Sequence, residues 1–351
     1  MPYDTCIFKP GYFSATMRKG YFYIIEVIIP GIIVCFLLSV PAISHGQQEI
    51  NIAGDTTYNL RSATLKIRKQ YPYAEPVNVT PDPGVRAESE IVYRTLGHRK
   101  LHMDIYHPVI SNEEAVPGIL CIHGGGWASG NKTLLAPLAQ ELACHGYFTA
   151  TVEYRLSPEA LYPAGVTDVK AAIKWIKRNA DAYDLDTNRI AILGTSAGAT
   201  IATLVGNTPG HPLYHTPENG SIDVSDRVQA IINIDGILDF TDPAESGKDS
   251  DPAKPSAATR WLGSTFKEDP DVWIEASPLT YADDQSPATL FINSAIPRFH
   301  AGREEYIRIL KDSGIRTTVY RIPDSPHSFW LFQPWFDVTL EQILKFTNTF
   351  L

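Results

Sequence analysis

Four cysteines in 351 residues are too few for a disulfide-stapled fold, so the core has to come from apolar burial. Positive charge is also scarce. Thirty Lys and Arg face 39 Asp and Glu, for a formal charge of −9, which argues against a nucleic-acid-binding surface, where clustered basic residues are needed. The chain shows no internal repeat and no spacing that resembles a zinc or phosphate-loop motif, so neither metal nor nucleotide chemistry is indicated and no cofactor is expected. At 44% hydrophobic and 20% charged, the composition excludes a disordered or collagen-like chain.

What the sequence does have is unevenly placed. Nearly all of its long apolar sequence lies in the first 46 residues. No residue from Val27 to Ser44 is charged, Arg18 and Lys19 precede that run, and Ser44 and Gly46 put small residues at −3 and −1 of a cut before Gln47. Basic n-region, apolar h-region and small-residue cleavage site make a secretory signal peptide. With Met17 as the translation start, the signal has an ordinary length. Residues 1–46 are therefore expected to be leader and signal, and the product secreted or periplasmic with no stable membrane association after cleavage. The competing reading is a retained anchor, which Pro30 and Pro41 disfavour. Of the cysteines, Cys121 and Cys144 would survive cleavage, and both are expected to be buried free thiols.

Residues 47–90 are polar and dotted with proline and read as an arm with little regular structure. Residues 91–351 read as one domain. IVYRT at 91–95 and LHMDIYH at 101–107 alternate apolar and polar side chains, as an edge hairpin does. GILCI at 118–122, YFTATVEYRL at 147–156, RIAILG at 189–194, QAIINID at 229–235, ATLFINS at 288–294 and TTVYRI at 317–322 read as further strands. Between them, Leu135, Leu138, Ala139 and Leu142, and then Val169, Ala172, Ile173 and Ile176, repeat at helical spacing. Alternating strands and helices predict a mostly parallel eight-stranded sheet covered on both faces. The long charged stretch between strands 6 and 7, residues 240–287, is expected to be a functional cover.

Two turns carry the chemistry. Gly194-Thr195-Ser196-Ala197-Gly198 follows a strand and opens a helix, the context in which G-x-S-x-G presents a serine on a sharp turn. His123-Gly124-Gly125-Gly126-Trp127 follows GILCI, where consecutive glycines let backbone N–H groups converge on one oxygen. Together the two motifs resemble the α/β-hydrolase superfamily, specifically its hormone-sensitive-lipase-like and bacterial feruloyl/acetyl esterase branch, over roughly residues 90–351. That resemblance implies an α/β-hydrolase fold, Ser196 as nucleophile, and the N–H groups of Gly125, Gly126 and Ala197 as an oxyanion hole. It also implies His327, in Pro326-His327-Ser328 after the last strand, as general base, and Asp168 as a structural residue. His123 reads as an orienting residue of the glycine loop.

The acid departs from the pattern. The family's H-G-x-x-D after the strand ATLFI is replaced by Asn293-Ser294-Ala295-Ile296-Pro297, with proline where the aspartate would stand. Asp235, at the end of the preceding strand, is taken as the acid; Glu304, near the start of the next helix, is the second candidate, and a Ser–His dyad with no acid is the remaining alternative. The replacement loop carries Arg298, His300 and Arg303, which suggest recognition of an anionic substrate such as galacturonate in pectin, because arginine pairs two-pronged with carboxylates. Trp127, with Trp261 and Trp330, is a candidate for stacking on sugar rings. The reading that follows is an exported serine esterase removing acetyl or methyl groups from plant cell-wall polysaccharide, pectin first. Its rivals are a general carboxylesterase on small esters and an inactive hydrolase fold that binds sugar.

Overall fold

The apolar runs become the interior strands of one sheet, because a continuous run of Ile, Leu and Val has no polar face to give to solvent. The structure, a computed structural model, describes residues 57–78, 81–109, 114–215, 224–248 and 253–351. It also describes the backbone of two antiparallel two-residue strands, β1 (Ile28–Ile29) and β2 (Ile32–Ile33). The chain divides into two units, residues 1–51 and 52–351. Of the expected leader only the backbone of β1 and β2 is described; its start at Met17 and its cut after Gly46 lie outside the described residues. No described helix is long and apolar enough to cross a membrane.

The main sheet comprises β4 (Val85–Leu96), β5 (Arg99–Pro108), β6 (Val116–Ile122), β7 (Phe148–Val152), β8 (Leu185–Thr195), β9 (Ala230–Ile234), β10 (Ala288–Asn293) and β11 (Thr317–Arg321). Their order is β11-β10-β9-β8-β6-β7-β5-β4. The pairs β4/β5 and β5/β7 are antiparallel and the rest are parallel, as the alternation of strands and helices predicts. Side chains along β6 alternate between two cores. Ile119 and Cys121 join α2 (Ala136–Cys144) and α9 (Trp335–Phe350) on one face, while Leu120 and Ile122 join α3 (Ala164–Arg178) and α4 (Ala197–Asn207) on the other. The period-2 geometry of a strand requires this division. Every residue of α4 is buried. Its run of Ala, Gly and Thr keeps the helix thin enough to lie against the middle of the sheet.

The cover between β9 and β10 folds into three short helices, α5 (Pro243–Ser246), α6 (Ala257–Leu262) and α7 (Pro270–Ala276), each opened by an Asp or Ser side chain accepting a backbone N–H. It sinks Trp261 and Trp273 into the α3–α4 core. After β10 the chain passes through α8 (Arg303–Asp312) to the half-exposed edge strand β11.

Two expectations need correction. Cys121 is buried, and loss of water pushes its thiol up to about 12, but Cys144 is exposed; both are free. The arm also has more structure than its prolines suggested. It carries α1 (Leu60–Ile67), capped by Asn59 and Ser62 in reciprocal hydrogen bonds, and β3 (Glu75–Pro76), which pairs with β12 (Phe332–Gln333). Tyr71 and Tyr73 pack on Trp335, with ring centres 5.2 and 6.0 Å away. The arm is therefore fastened to the segment that follows His327, through contacts between residues some 260 positions apart that no local pattern announces.

Trp335 is buried and is the floor on which the arm rests. Trp335→Ala is expected to cost about 3–5 kcal/mol, as large-to-small core changes do. It should also open the arm to limited proteolysis before the sheet unfolds. Unchanged denaturation midpoints and an unchanged cleavage pattern would show that the arm is only laid on the surface.

Candidate active site

The site is set by strand register. Across the sheet, Ile122 is level with Gly194, Thr195 with Ile234, and Ile234 with Ile292. The residues that follow β6, β8 and β9, namely His123, Ser196 and Asp235, therefore emerge along one rim with Asn293, the last residue of β10, at the carboxyl ends where open parallel sheets place their ligands. The ladder continues one step past the strands: Ser196 N–H donates to the Ile234 carbonyl at 2.8 Å and Asp235 N–H to the Ile292 carbonyl at 3.0 Å.

Ser196 sits between β8 and α4 with φ 52° and ψ −123°, a conformation that a residue with a side chain rarely adopts. The turn is this tight because α4 begins against β6: a Cβ on Gly198 would lie 2.2 Å from the Ile122 carbonyl oxygen, so only glycine fits. Ala197 is the first residue of α4, and its N–H has no carbonyl one turn back. The glycine loop lies directly alongside, since a Cβ on Gly124 would come within 2.9 Å of the Ser196 Cβ. Gly125 and Gly126 follow at φ +129° and +59°. His123 anchors the loop. It is buried, stacks on Tyr154 with ring centres 4.6 Å apart, and its Nδ1 lies 2.8 Å from the Gly124 carbonyl, while the Tyr154 hydroxyl donates to the His123 carbonyl at 2.9 Å. Burial pushes the His123 imidazole down to about 4, so it is neutral near pH 7.

His327 comes in from the loop after β11. Its Nε2 is 2.9 Å from Ser196 Oγ and its Nδ1 is 2.9 Å from Asp235 Oδ2. Asp235 is fully buried, and its other oxygen accepts the Ser294 N–H at 2.7 Å. A carboxylate on Nδ1–H leaves Nε2 as the acceptor facing a serine hydroxyl, which is the arrangement that lets an imidazole take a proton from a nucleophile. Glu304 is excluded from this contact. Its side chain is 77% exposed and paired with Arg303. The acid has moved one strand over, to the end of β9, and the loop that lacks it supplies the Ser294 N–H in its place.

The expected substrate residues do not stand free. Arg298 grips Glu245 with Nε and Nη2, a two-pronged pair with a buried carboxylate. Arg303 donates to Asn293 Oδ1 at 2.8 Å and to Glu304. His300 Nε2 is 3.3 Å from the Ser294 carbonyl, and burial with Arg303 nearby disfavours its charged form. The positive patch anticipated for a galacturonate is thus consumed within the protein. Trp127 is 3% exposed, stacked on Trp261 at 4.8 Å and packed on Phe240, and Trp330 is equally buried, so the three tryptophans are core residues with no free face for a sugar. Asp168 is the structural node expected: fully buried, it accepts the Arg155 N–H and guanidinium at 2.8–3.0 Å and pairs with Arg94. Sequence reasoning missed Ser294, Phe299 and Glu245. Only Phe299, an apolar residue inside a basic loop, carried any signal.

A mostly parallel sheet with a serine turn, a glycine loop and a Ser–His–Asp contact on its carboxyl rim defines the α/β-hydrolase fold with serine-hydrolase geometry. Within it, the chain belongs to the BD-FAE family, whose model matches residues 103–296, more than half its length. It is similar to the esterase LipQ of Mycobacterium tuberculosis, 27% identical over 248 residues, covering 69% of this chain and 57% of that protein. The chain spans only about a third to six-tenths of the length of the curated relatives it matches. Among solved structures it is similar to a bifunctional GH43-CE protein of Bacteroides eggerthii, with TM-score 0.62, 27% identity, and coverage of 75% of this chain and 38% of that one. A truncated carbohydrate esterase from gut microbiota shares the fold, with TM-score 0.59, 22% identity, and coverage of 75% and 96%.

The buried neutral imidazole of His123 ties stability to pH. Below pH 6.5 the unfolded chain binds a proton that folded His123 refuses until about pH 4, so stability falls as pH drops through that window. The loss reaches about 3 kcal/mol at 1.36 kcal/mol per unit. His107 and His300, also held down by burial, act in the same direction. Urea midpoints from pH 7 to 4 should fall more steeply for the wild type than for His123→Gln. Parallel curves would show that His123 takes up its proton in the folded state.

Proposed function

We propose that this protein is a serine ester hydrolase that removes small acyl groups, acetyl first, from plant cell-wall polysaccharide. The observation that carries the reading is the unbroken contact from Ser196 Oγ through His327 to buried Asp235. Ser196 Oγ attacks the ester carbonyl carbon while its proton passes to His327 Nε2, and Asp235 stabilises the imidazolium that forms. The carbonyl oxygen becomes an oxyanion facing the N–H groups of Gly125, Gly126 and Ala197. His327 then gives its proton to the leaving alcohol oxygen as the C–O bond breaks. Water, deprotonated by the same nitrogen, attacks the acyl-enzyme and releases the acid and Ser196. No cofactor takes part in these steps.

The name of the gut-microbiota relative supports a carbohydrate ester as substrate. Pectin stays in the proposal as an acetylated polymer. The paired state of Arg298 and Arg303 weighs against binding through its galacturonate carboxylates or cleaving their methyl esters. A general carboxylesterase acting on small esters is the second reading, favoured by the name of LipQ. Export with cleavage after Gly46, and a soluble product free of nucleic acid and membrane, complete the proposal.

Purified protein is to be assayed on acetylated xylan, acetylated pectin, methylated pectin and p-nitrophenyl acetate. Acetate release from a polymer is expected. Hydrolysis of the aryl ester alone would favour the second reading, and failure on every ester, with Ser196→Ala no different, would end the enzyme reading. Asp235→Asn should lower kcat by about 10⁴-fold, the scale seen when the orienting carboxylate of a triad is neutralised. Glu304→Gln should leave kcat within twofold; the reverse ranking would put the acid on α8.

A further inference from the structure

His327 makes two polar contacts, one at each ring nitrogen. A ring held only at those points can still tilt about the line joining them, and a tilt swings the Nε2 lone pair away from Ser196 Oγ. The structure blocks that tilt. Phe299 lies flat against the imidazole, with ring centres 3.8 Å apart and planes 8° apart, and the Trp330 ring meets it edge-on at 5.1 Å. Phe299 belongs to the loop that replaces the usual acid, so the loop faces the base and not the substrate.

The loop is itself braced. Glu245, on α5 of the cover, is buried and holds Arg298 two-pronged, with Lys248 Nζ at 2.8 Å as a second cation. The Arg298 guanidinium lies 5.3 Å from the centre of the Phe299 ring. From the other side the Asn293 amide donates to the Phe299 carbonyl at 3.3 Å, and the Leu238 N–H donates to the Ala301 carbonyl at 3.0 Å. Only the Glu245 side of the pair is buried, the Arg298 side chain being 39% exposed, but a two-pronged pair to a buried carboxylate fixes the orientation of the guanidinium. Phe299 therefore has a fixed backbone and a fixed cation beside it. Its electron-rich face is also the surface a transient imidazolium prefers.

We propose that Phe299 is a positioning residue for His327, and that the Glu245–Arg298 pair transmits the position of the cover to it. This rests on the reading of His327 as the general base. It gives the cover a role in catalysis distinct from contact with substrate.

The test is steady-state hydrolysis of p-nitrophenyl acetate and of an alkyl acetate, with active sites counted by complete titration with an organophosphonate, so that rates refer to folded sites. Phe299→Leu is expected to lower kcat per site about tenfold with KM within twofold, in keeping with the sensitivity of rate to sub-ångström misplacement. The loss should be larger on the alkyl ester, whose poor leaving group needs the proton from His327. Phe299→Tyr should restore most of the rate. Glu245→Gln should give a smaller kcat loss of the same character. Should Phe299→Leu retain kcat per site within twofold on both esters, or should it raise KM with kcat unchanged, the positioning role is wrong while the esterase reading stands. A wild type that hydrolyses neither ester removes both. Equal losses for Leu and Tyr at position 299, with equal loss on both esters, would mean general damage to the site and would also overturn the proposal.

Discussion

A carboxylate with no access to water has to be given hydrogen-bond donors, and the position of Asp235 imposes that demand on two other stretches of chain. The residue sits at the end of β9 with no exposed surface. The loop after β10 brings the Ser294 N–H, and the loop after β11 brings His327 Nδ1. The costs of leaving such a group unpaired are large enough that these segments cannot drift independently. The departure from the usual acid position is thus compensated locally: the loop that gave up the carboxylate now donates to its replacement on the neighbouring strand.

Strain at the nucleophile is held by the same architecture. Ser196 keeps an unfavourable φ because β8 on one side and fully buried α4 on the other leave the turn no alternative. The base is held from farther away. The Tyr58 hydroxyl lies 2.9 Å from Ser328 Oγ, next to His327, and β3 pairs with β12 just beyond. The arm touches Ser328, next to His327, the sheet carries Ser196 and Asp235, and the cover reaches His327 indirectly, through Arg298 and Phe299, so the arrangement is a property of the whole unit and not of one loop.

The chain is acidic, and much of its positive charge near the site is spent on internal pairing. Arg298 meets Glu245, Arg303 meets Glu304, and Arg94 and Arg155 meet Asp168. An acidic protein binding an acidic polymer would need cations left over, and these are not. These pairings are the reason the proposed substrate is a neutral or sparsely charged ester and not a galacturonate carboxylate.

What the sequence determined by itself was everything encoded in periods of two and 3.6 residues and in short motifs at strand ends. The strand runs, the amphipathic α3, the cover after β9, Ser196 in its glycine-flanked turn and the His123 loop all belong there, because local sterics and burial patterns leave their mark on neighbouring residues. The choice between Asp235 and Glu304 was not of that kind. It depended on β9 and β10 lying side by side in register, and on α8 turning Glu304 to solvent. The fates of Arg298 and Trp127 were equally hidden, since a paired arginine and a free one, or a buried tryptophan and an exposed one, read alike in one dimension. Their partners, Glu245 and Trp261, lie 53 and 134 positions away, and only packing of the cover against the rim brought them together.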